Sequence, residues 1–322
     1  MRLVGSTVAA ATVICIASMT IAACAAKPAP STYWHAMRSG TTVDLIGVWG
    51  TSHSDVFVVG ASGTILHFDG GTWSPMNAGT DGDLYLVGVW GADGADVFAV
   101  GDGEILHYDG AAWTISAKSP LYSGLSGVWG VSGTDVFAVG IGKILHYDGS
   151  SWSNAPGGEK LEGAAVWGAS GSDVFAAGNS TNGAAVWHYD GSSWGASAIP
   201  GYDTYPGDAS FSDVWGASGS DVYVVGYTLD SSNDGIPLML HFDGAAWHVF
   251  QYGPAVYSMW GTSSGDIFAV GAGLAVHFDG NSWHSISAGY HGGANAVWAS
   301  SYSDAYAVGN NGLILHCDAE TP

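Results

Sequence analysis

An all-β chain assembled from repeats is what this sequence predicts, on three observations. Glycine is abundant, a pattern of four phrases recurs along the chain, and each phrase has the make-up of a short strand held between turns. Of 322 residues, 50 are Gly and 15 are Trp. Glycine costs about 1 kcal/mol per helical position relative to Ala, so a helical core is disfavoured at this content. The apolar share of 47% is nevertheless too high for a disordered or linker-like chain, and a packed core is expected.

The first phrase is Val48-Trp49-Gly50, whose Trp returns at Trp90, Trp129, Trp167, Trp215, Trp260 and Trp298. A second follows each time, Asp55-Val56-Phe57-Val58-Val59-Gly60, with its Asp recurring at Asp96, Asp135, Asp173, Asp221, Asp266 and Asp304. The third, Ile65-Leu66-His67-Phe68-Asp69-Gly70, repeats its His-x-Asp pair at 107/109, 146/148, 188/190, 241/243, 277/279 and 316/318. The fourth supplies Trp73, Trp113, Trp152, Trp194, Trp247 and Trp283. Runs rich in Val, Ile, Phe and Tyr between Gly, Ser and Asp read as strands between tight turns. Four strands in a unit of about forty residues match one blade of a propeller. The second strand is apolar at successive positions, which suits a sheet covered on both faces by neighbouring blades. The prediction is a seven-bladed β-propeller with four antiparallel strands per blade.

The seventh unit lacks its fourth-strand Trp, and the missing piece lies at the other end of the chain. Tyr33-Trp34-His35-Ala36-Met37 lines up with Thr72-Trp73-Ser74-Pro75-Met76. This N-terminal segment is therefore expected to complete the last blade and close the ring, removing an exposed sheet edge.

Before it, Met1-Arg2 and an apolar run from Leu3 to Ala23 read as an export signal. The run ends in Ile21-Ala22-Ala23-Cys24, which resembles the lipobox of bacterial lipoproteins and implies lipidation at Cys24. The expected organisation is a signal peptide over 1–23, a tether over 24–32, the propeller over 33–318 and a tail over 319–322. Cys15 falls in the removed segment and Cys24 carries the lipid, so no disulfide framework is expected. Cys317 replaces the Phe or Tyr of the third phrase and is read as a small buried hydrophobe.

The repeated phrases resemble those of bacterial secreted β-propeller proteins built from Val-Trp-Gly, Asp-Val-Phe-Ala-Val-Gly and Ile-Leu-His-Tyr-Asp-Gly units. More distantly, the turn Asp69-Gly70-Gly71-Thr72-Trp73 is similar to that of the Asp-box (BNR, sialidase-type) propellers, although it is one residue shorter and lacks the Ser. The resemblance covers about residues 33 to 318 and concerns the fold, from which function does not follow.

Charge narrows the function. Lys and Arg number 6 against 28 Asp plus Glu, a net charge of −22. Nucleic acid requires clustered basic groups, and anionic membrane surfaces require them too, so both are excluded as partners and the membrane enters only through the lipid anchor. Sialidase chemistry as the Asp-box resemblance implies it needs three Arg for a substrate carboxylate. The exported part offers Arg38 alone.

A residue present in every blade is a poor marker for a single active site. His67, Asp69 and their equivalents share a strand face, and the Asp is placed to cap its turn. The Asp that opens each second strand is also read as a turn cap. Both Trp series are read as packing between blades, and so is Trp187, which stands outside them.

Function is expected where repetition fails. Between the second-strand Gly and the His, most blades need five or six residues, but blade four needs nine (179–187) and blade five fourteen (227–240). The connection from Trp194 to Trp215 is long as well. In a four-stranded blade these segments emerge on one face, where they gather Asn179, Asn182, Tyr202, Asp203, Tyr205, Asp208, Tyr227, Asp230, Asn233 and Asp234. Tyr rings with carboxylates and amides suit a glycan, by stacking and directional hydrogen bonds, or an envelope or extracellular protein. Asp230, Ser232 and Asp234 have the spacing that opens a calcium loop, without the closing carboxylate, since His241 stands at position twelve. Calcium is therefore a secondary expectation and no other cofactor is expected. The reading is a monomeric, non-catalytic binding or scaffold module, lipid-anchored at the bacterial outer membrane. Its alternatives are a carbohydrate-active enzyme using the carboxylates of Asp203, Asp208, Asp230 and Asp234, or a structural spacer.

Overall fold

The computed structural model describes residues 33–80, 84–118, 124–180, 183–199, 209–229, 235–250, 256–286 and 293–318. These form seven four-stranded sheets, six of them ordered so that consecutive strands pair and the seventh completed by the first strand of the chain's described part. All the pairings are antiparallel. The only described departure from strand and turn is a short 3-10 segment, Asn310–Gly312. The architecture is a seven-bladed β-propeller.

In blade one the strands are Leu45–Ser52, Asp55–Gly60, Ile65–Phe68 and Trp73–Pro75. The innermost strands of successive blades touch around a central axis, and that of blade seven, Ala294–Ser301, meets that of blade one. Tyr33–Met37 pairs with Leu313–Asp318 in the register Tyr33↔Asp318 to Met37↔Ile314. The outer strand of blade seven thus comes from the N-terminal side, as the sequence predicts.

Packing between blades uses both Trp series. The first-strand Trp lies flat on the Gly that follows its counterpart in the next blade. A methyl group on Gly91 would stand 2.6 Å from the Trp49 ring, and one on Gly168 2.6 Å from Trp129. Trp298 closes the circle on Gly50. Blade seven carries Ala299 at this position, and there the Trp260 Nε1–H donates to the Ala299 carbonyl at 3.0 Å. The fourth-strand Trp packs edge-on against the second-strand aromatic of the preceding blade, Trp113 on Phe57 at 6.4 Å and Trp34 on Phe268 at 6.2 Å. Val56, Phe57, Val58 and Val59 are all buried, which accounts for the unbroken apolar run. Trp187 and Cys317 are core residues as well.

The turn after each third strand is set by its Asp. Asp69 Oδ1 accepts the N–H groups of Gly71 and Thr72, both at 2.9 Å, as expected of an Asx turn. Gly70 between them has φ +88°, and a Cβ there would approach the Ser54 Cβ to 2.8 Å. These contacts hold the Asp69 carboxyl below its usual range, and the same arrangement with an added serine hydroxyl lowers Asp148 and Asp190 to about 2.

Candidate functional site

Strands one and three run toward one face of the disc, and strands two and four return toward the other. The tight turns after strands one and three form the lower face. The strand two to three connections and the crossings between blades form the upper face.

On the lower face, the Asp opening each second strand does more than cap a turn. His67 Nε2–H donates to Asp55 Oδ1 at 2.7 Å, and the pair recurs in every blade, for example His146–Asp135 at 2.7 Å and His277–Asp266 at 2.6 Å. The imidazole also stacks on the second-strand aromatic, His67 on Phe57 at 4.4 Å and His316 on Tyr306 at 4.2 Å between centroids. In four of the seven the other carboxylate oxygen lies against the turn glycine of the next blade, Asp55 at Gly94, Asp96 at Gly133, Asp135 at Gly171 and Asp173 at Gly219. Asp and His therefore tie strand two to strand three and one blade to the next. Seven identical pairs spread around a ring are scaffolding.

The upper face carries the exceptions. Around the axis a channel of about 230 Å³ is lined by the innermost strands. The position just before the Val-Trp of each blade faces it. In blades one to four this position is Gly47, Gly88, Gly127 and Ala165, and a Cβ on Gly47 would stand 2.6 Å from the Val87 carbonyl oxygen. In blades five and six it is Asp213 and Ser258. Asp213 Oδ1 accepts the Val214 N–H at 2.8 Å and Oδ2 the Met259 N–H at 2.9 Å. Ser258 Oγ accepts the Val297 N–H at 3.3 Å, and Asn295 Nδ2–H donates to the Leu45 carbonyl at 2.9 Å. One half of the channel wall is thus polar and laced from blade to blade, while the half from blades one to four is largely aliphatic.

Enclosure by the channel wall raises the Asp213 carboxyl to about 6, against the opposing pull of the Met259 N–H, the Ser258 hydroxyl and the Val214 N–H. Among the described residues it is the only carboxylate lining the channel. Sequence reasoning passed over it. The signal was a one-blade departure in a column otherwise filled by Gly, Ala and Ser.

Of the sequence-predicted rim, Asn179 and Tyr227 are described. Both lie on extended hairpins, not on loops. In blade four the second strand continues to Ser180 and the third begins at Gly183; in blade five they run to Leu229 and from Gly235. The added ladder pairs Tyr227 with Pro237 and Thr228 with Ile236. Asn179 pairs with Glu162 and Ala184, and its shielded Oδ1 has no hydrogen-bond partner among the described residues. Tyr227 is exposed, as are Tyr85, Ile141 and Tyr257, all four of which belong to the upper face. Asn182, Tyr202, Asp203, Tyr205, Asp208, Asp230, Asn233 and Asp234, the calcium spacing with Ser232, and Cys24 lie outside the described residues.

No protein-family model matches the chain, and no curated protein matches its sequence. Solved structures do match. YCF48 bound to D1 peptide aligns with a TM-score of 0.68 at 15% identity, over 89% of this chain and 97% of that one. The WD40 β-propeller domain of Doa1 gives 0.67 at 13% identity, over 89% and 98%. The extracellular domain of BT4673 from B. thetaiotaomicron gives 0.66 at 10% identity, over 88% of this chain and 39% of that one. The likeness is one of fold. It places the chain among seven-bladed propellers and leaves the upper face to be read from its own residues.

Proposed function

We propose that this chain is a non-catalytic binding module that takes its ligand on the upper face, carried at the bacterial cell envelope by a lipid on Cys24. One observation carries the reading: the departures from the repeat collect on one face, while the chain enters the ring on the other. The extended hairpins of blades four and five, the polar half of the channel and the exposed Tyr85, Tyr227 and Tyr257 share the upper face. Tyr33 pairs with Asp318 at the lower face. A tether running from Tyr33 back to a lipid on Cys24 would therefore turn the variable face away from the bilayer. Exposed Tyr is the side chain most suited to either ligand class, stacking on a sugar face or anchoring a protein interface. The structural neighbour bound to a peptide supports the class of activity, namely recognition by a propeller surface.

The test compares the full chain with a variant whose blade-four and blade-five hairpins are cut to the length found in blade three. Both are presented with purified envelope glycans and with envelope proteins. Binding by the full chain that the shortened variant loses, with the glycan recovered intact, supports the proposal. Equal binding by the two sinks it, and glycan cleavage by the full chain that an upper-face Asp→Asn substitution abolishes would move the reading to a carbohydrate-active enzyme. Labelled fatty acid incorporated by the wild type and not by Cys24→Ser tests the anchor separately.

A further inference from the structure

We propose that the seam of blade seven holds a divalent transition-metal site formed by His35, His316 and Asp318. Elsewhere in the ring the third-strand Asp has a fixed partner. In the first six blades this Asp is committed to the turn leading into strand four: Asp69, Asp109, Asp148, Asp190, Asp243 and Asp279 each accept two backbone N–H groups of that turn. Blade seven has no such turn, because its fourth strand arrives from the N-terminal side. Asp318 keeps the position, and among the described residues it accepts no turn N–H.

Two imidazoles meet it there. His35 and His316 are cross-strand partners, with ring centroids 5.3 Å apart. His35 Nδ1 lies 3.6 Å from Asp318 Oδ1, and His316 Nδ1 lies 4.0 Å from Asp318 Oδ2. One ligand atom from each of the three residues falls within 4.8 Å of the other two. Donor atoms around one tetrahedral zinc ion, at about 2.0–2.1 Å from the metal, stand about 3.3 Å from each other. Small rotamer adjustments therefore bring the three into a ligand set, and the exposure of His35 and Asp318 leaves room for them.

The second layer is already built. His316 Nε2–H donates to Asp304 Oδ1 at 2.7 Å, and its ring is stacked on Tyr306 at 4.2 Å. That bond fixes the tautomer with Nδ1 unprotonated and directed at the other two ligands, the carboxylate–histidine arrangement that orients metal-binding imidazoles. Two imidazoles and a carboxylate with an open fourth position suit Zn²⁺, and the same donors accept Cu²⁺ or Ni²⁺.

Blades five and six supply an internal control. They too carry a strand-four His opposite the strand-three His, His248 opposite His241 and His284 opposite His277. Their strand-four imidazoles are engaged through Nε2 with Asp243 and Asp279, each at 2.8 Å, and those carboxylates are bound to their own turns. Among the described residues, the seam is where paired histidines stand beside a third-strand carboxylate that accepts no described turn N–H. A metal held there would clip residue 35 to residue 316 and so lock the two ends of the ring together.

The experiment uses the untagged full chain, stripped with chelator and titrated with Zn²⁺ by calorimetry. One equivalent is expected, with affinity reduced at least about tenfold in His35→Ser and in Asp318→Asn. Zn²⁺ at about a hundredfold excess over the wild-type Kd should raise the thermal midpoint of the wild type by at least about 3 °C and that of each variant by no more than about half as much. Ser stands at the position of His35 in blades one and three, as Ser74 and Ser153, so the first variant is compatible with the fold; should it not fold, Asp318→Asn decides. The double variant His248→Ser/His284→Ser should keep the equivalent. Absence of zinc heat at millimolar metal overturns the proposal, as does zinc binding that survives both seam variants or is lost in the blade-five and blade-six control.

Discussion

Replacing Asp213 with Asn should change how stability depends on pH more than it changes stability at any one pH. The folded protein holds this carboxyl at about 6 where an unperturbed Asp titrates at 3.8. A carboxyl whose folded pKa is raised binds its proton more tightly in the folded state, so its contribution is fully present below pH 3.8 and is lost as pH rises through 6. At about 1.4 kcal/mol per pKa unit, the wild type forfeits about 2.5 kcal/mol between pH 4 and pH 8 through this group alone. The substituted side chain cannot ionise. Its amide presents an N–H₂ to one of the two backbone donors, Val214 or Met259, that the carboxylate accepts, a loss of about 1–3 kcal/mol that does not vary with pH. Subtracting the variant curve from the wild-type curve cancels every other titrating group. Denaturant unfolding of both proteins at pH 4 and pH 8 should show the difference moving by about 2.5 kcal/mol in favour of the variant at the higher pH. Curves parallel within about 0.5 kcal/mol would refute the claim that the channel wall desolvates this carboxyl.

Three further substitutions probe the frame. Gly91→Ala should destabilise by about 1–3 kcal/mol, because the new methyl would stand 2.6 Å from the Trp49 ring and 2.9 Å from the Asp96 carbonyl, whereas Ala299→Gly at the equivalent site of blade seven should shift the thermal midpoint far less; equal effects would show that the indole does not fill the space. Deleting residues 33–37 should lower the midpoint of the whole protein in a single transition, since it exposes the Leu313–Asp318 edge and removes Trp34 from Phe268, and an unchanged midpoint would mean that the ring is closed some other way. His146→Ala should leave Asp135 without its 2.7 Å donor and cost about 1.5–3 kcal/mol as a charge-assisted bond, measured by urea unfolding, while any upper-face ligand binding stays unchanged.

The fold was legible because each of its determinants is local and repeated. Val-Trp-Gly, the apolar second strand and the Asp-Gly turn each set one element within a few residues, and the recurrence of Trp34 with Met37 before the first full unit exposed the ring closure. What stayed hidden depends on register. Asp55 and His67 are 12 residues apart, Asp173 and His188 are 15, and Asp221 and His241 are 20, so no fixed spacing announces the bond; the hairpin between them absorbs the difference and the pairing restores it. The blade-four and blade-five insertions were misjudged for a related reason. Their Asn, Ser, Asp and Gly composition reads as loop, yet Asn179↔Ala184 and Tyr227↔Pro237 continue a ladder already established below them, and an existing ladder overrides weak strand propensity. Asp213 was missed because a repeat analysis rewards what recurs.

The same mechanics explain why variation sits where it does. On the lower face the Asp of each first turn holds the strand-three His, and in blades two to five the turn is clamped from a second side, its glycine receiving the Asp of the blade before, as Gly94 receives Asp55 and Gly171 receives Asp135. Lengthening such a turn would break contacts in two blades, which is why the second strand begins three residues after the first ends throughout, as in Ser52–Asp55, Ser132–Asp135 and Ser218–Asp221. On the upper face the strand two to three hairpin is secured mainly by its own ladder, so it can grow by pairs of residues without disturbing its neighbours, and blade five has done so. A ring that fixes its blades from below leaves its upper rim free to diverge. Blade seven is the exception that follows from closure: there no turn carries Asp318 into a fourth strand, and where the two ends of the ring meet, the repeated Asp stands beside His35 and His316 instead.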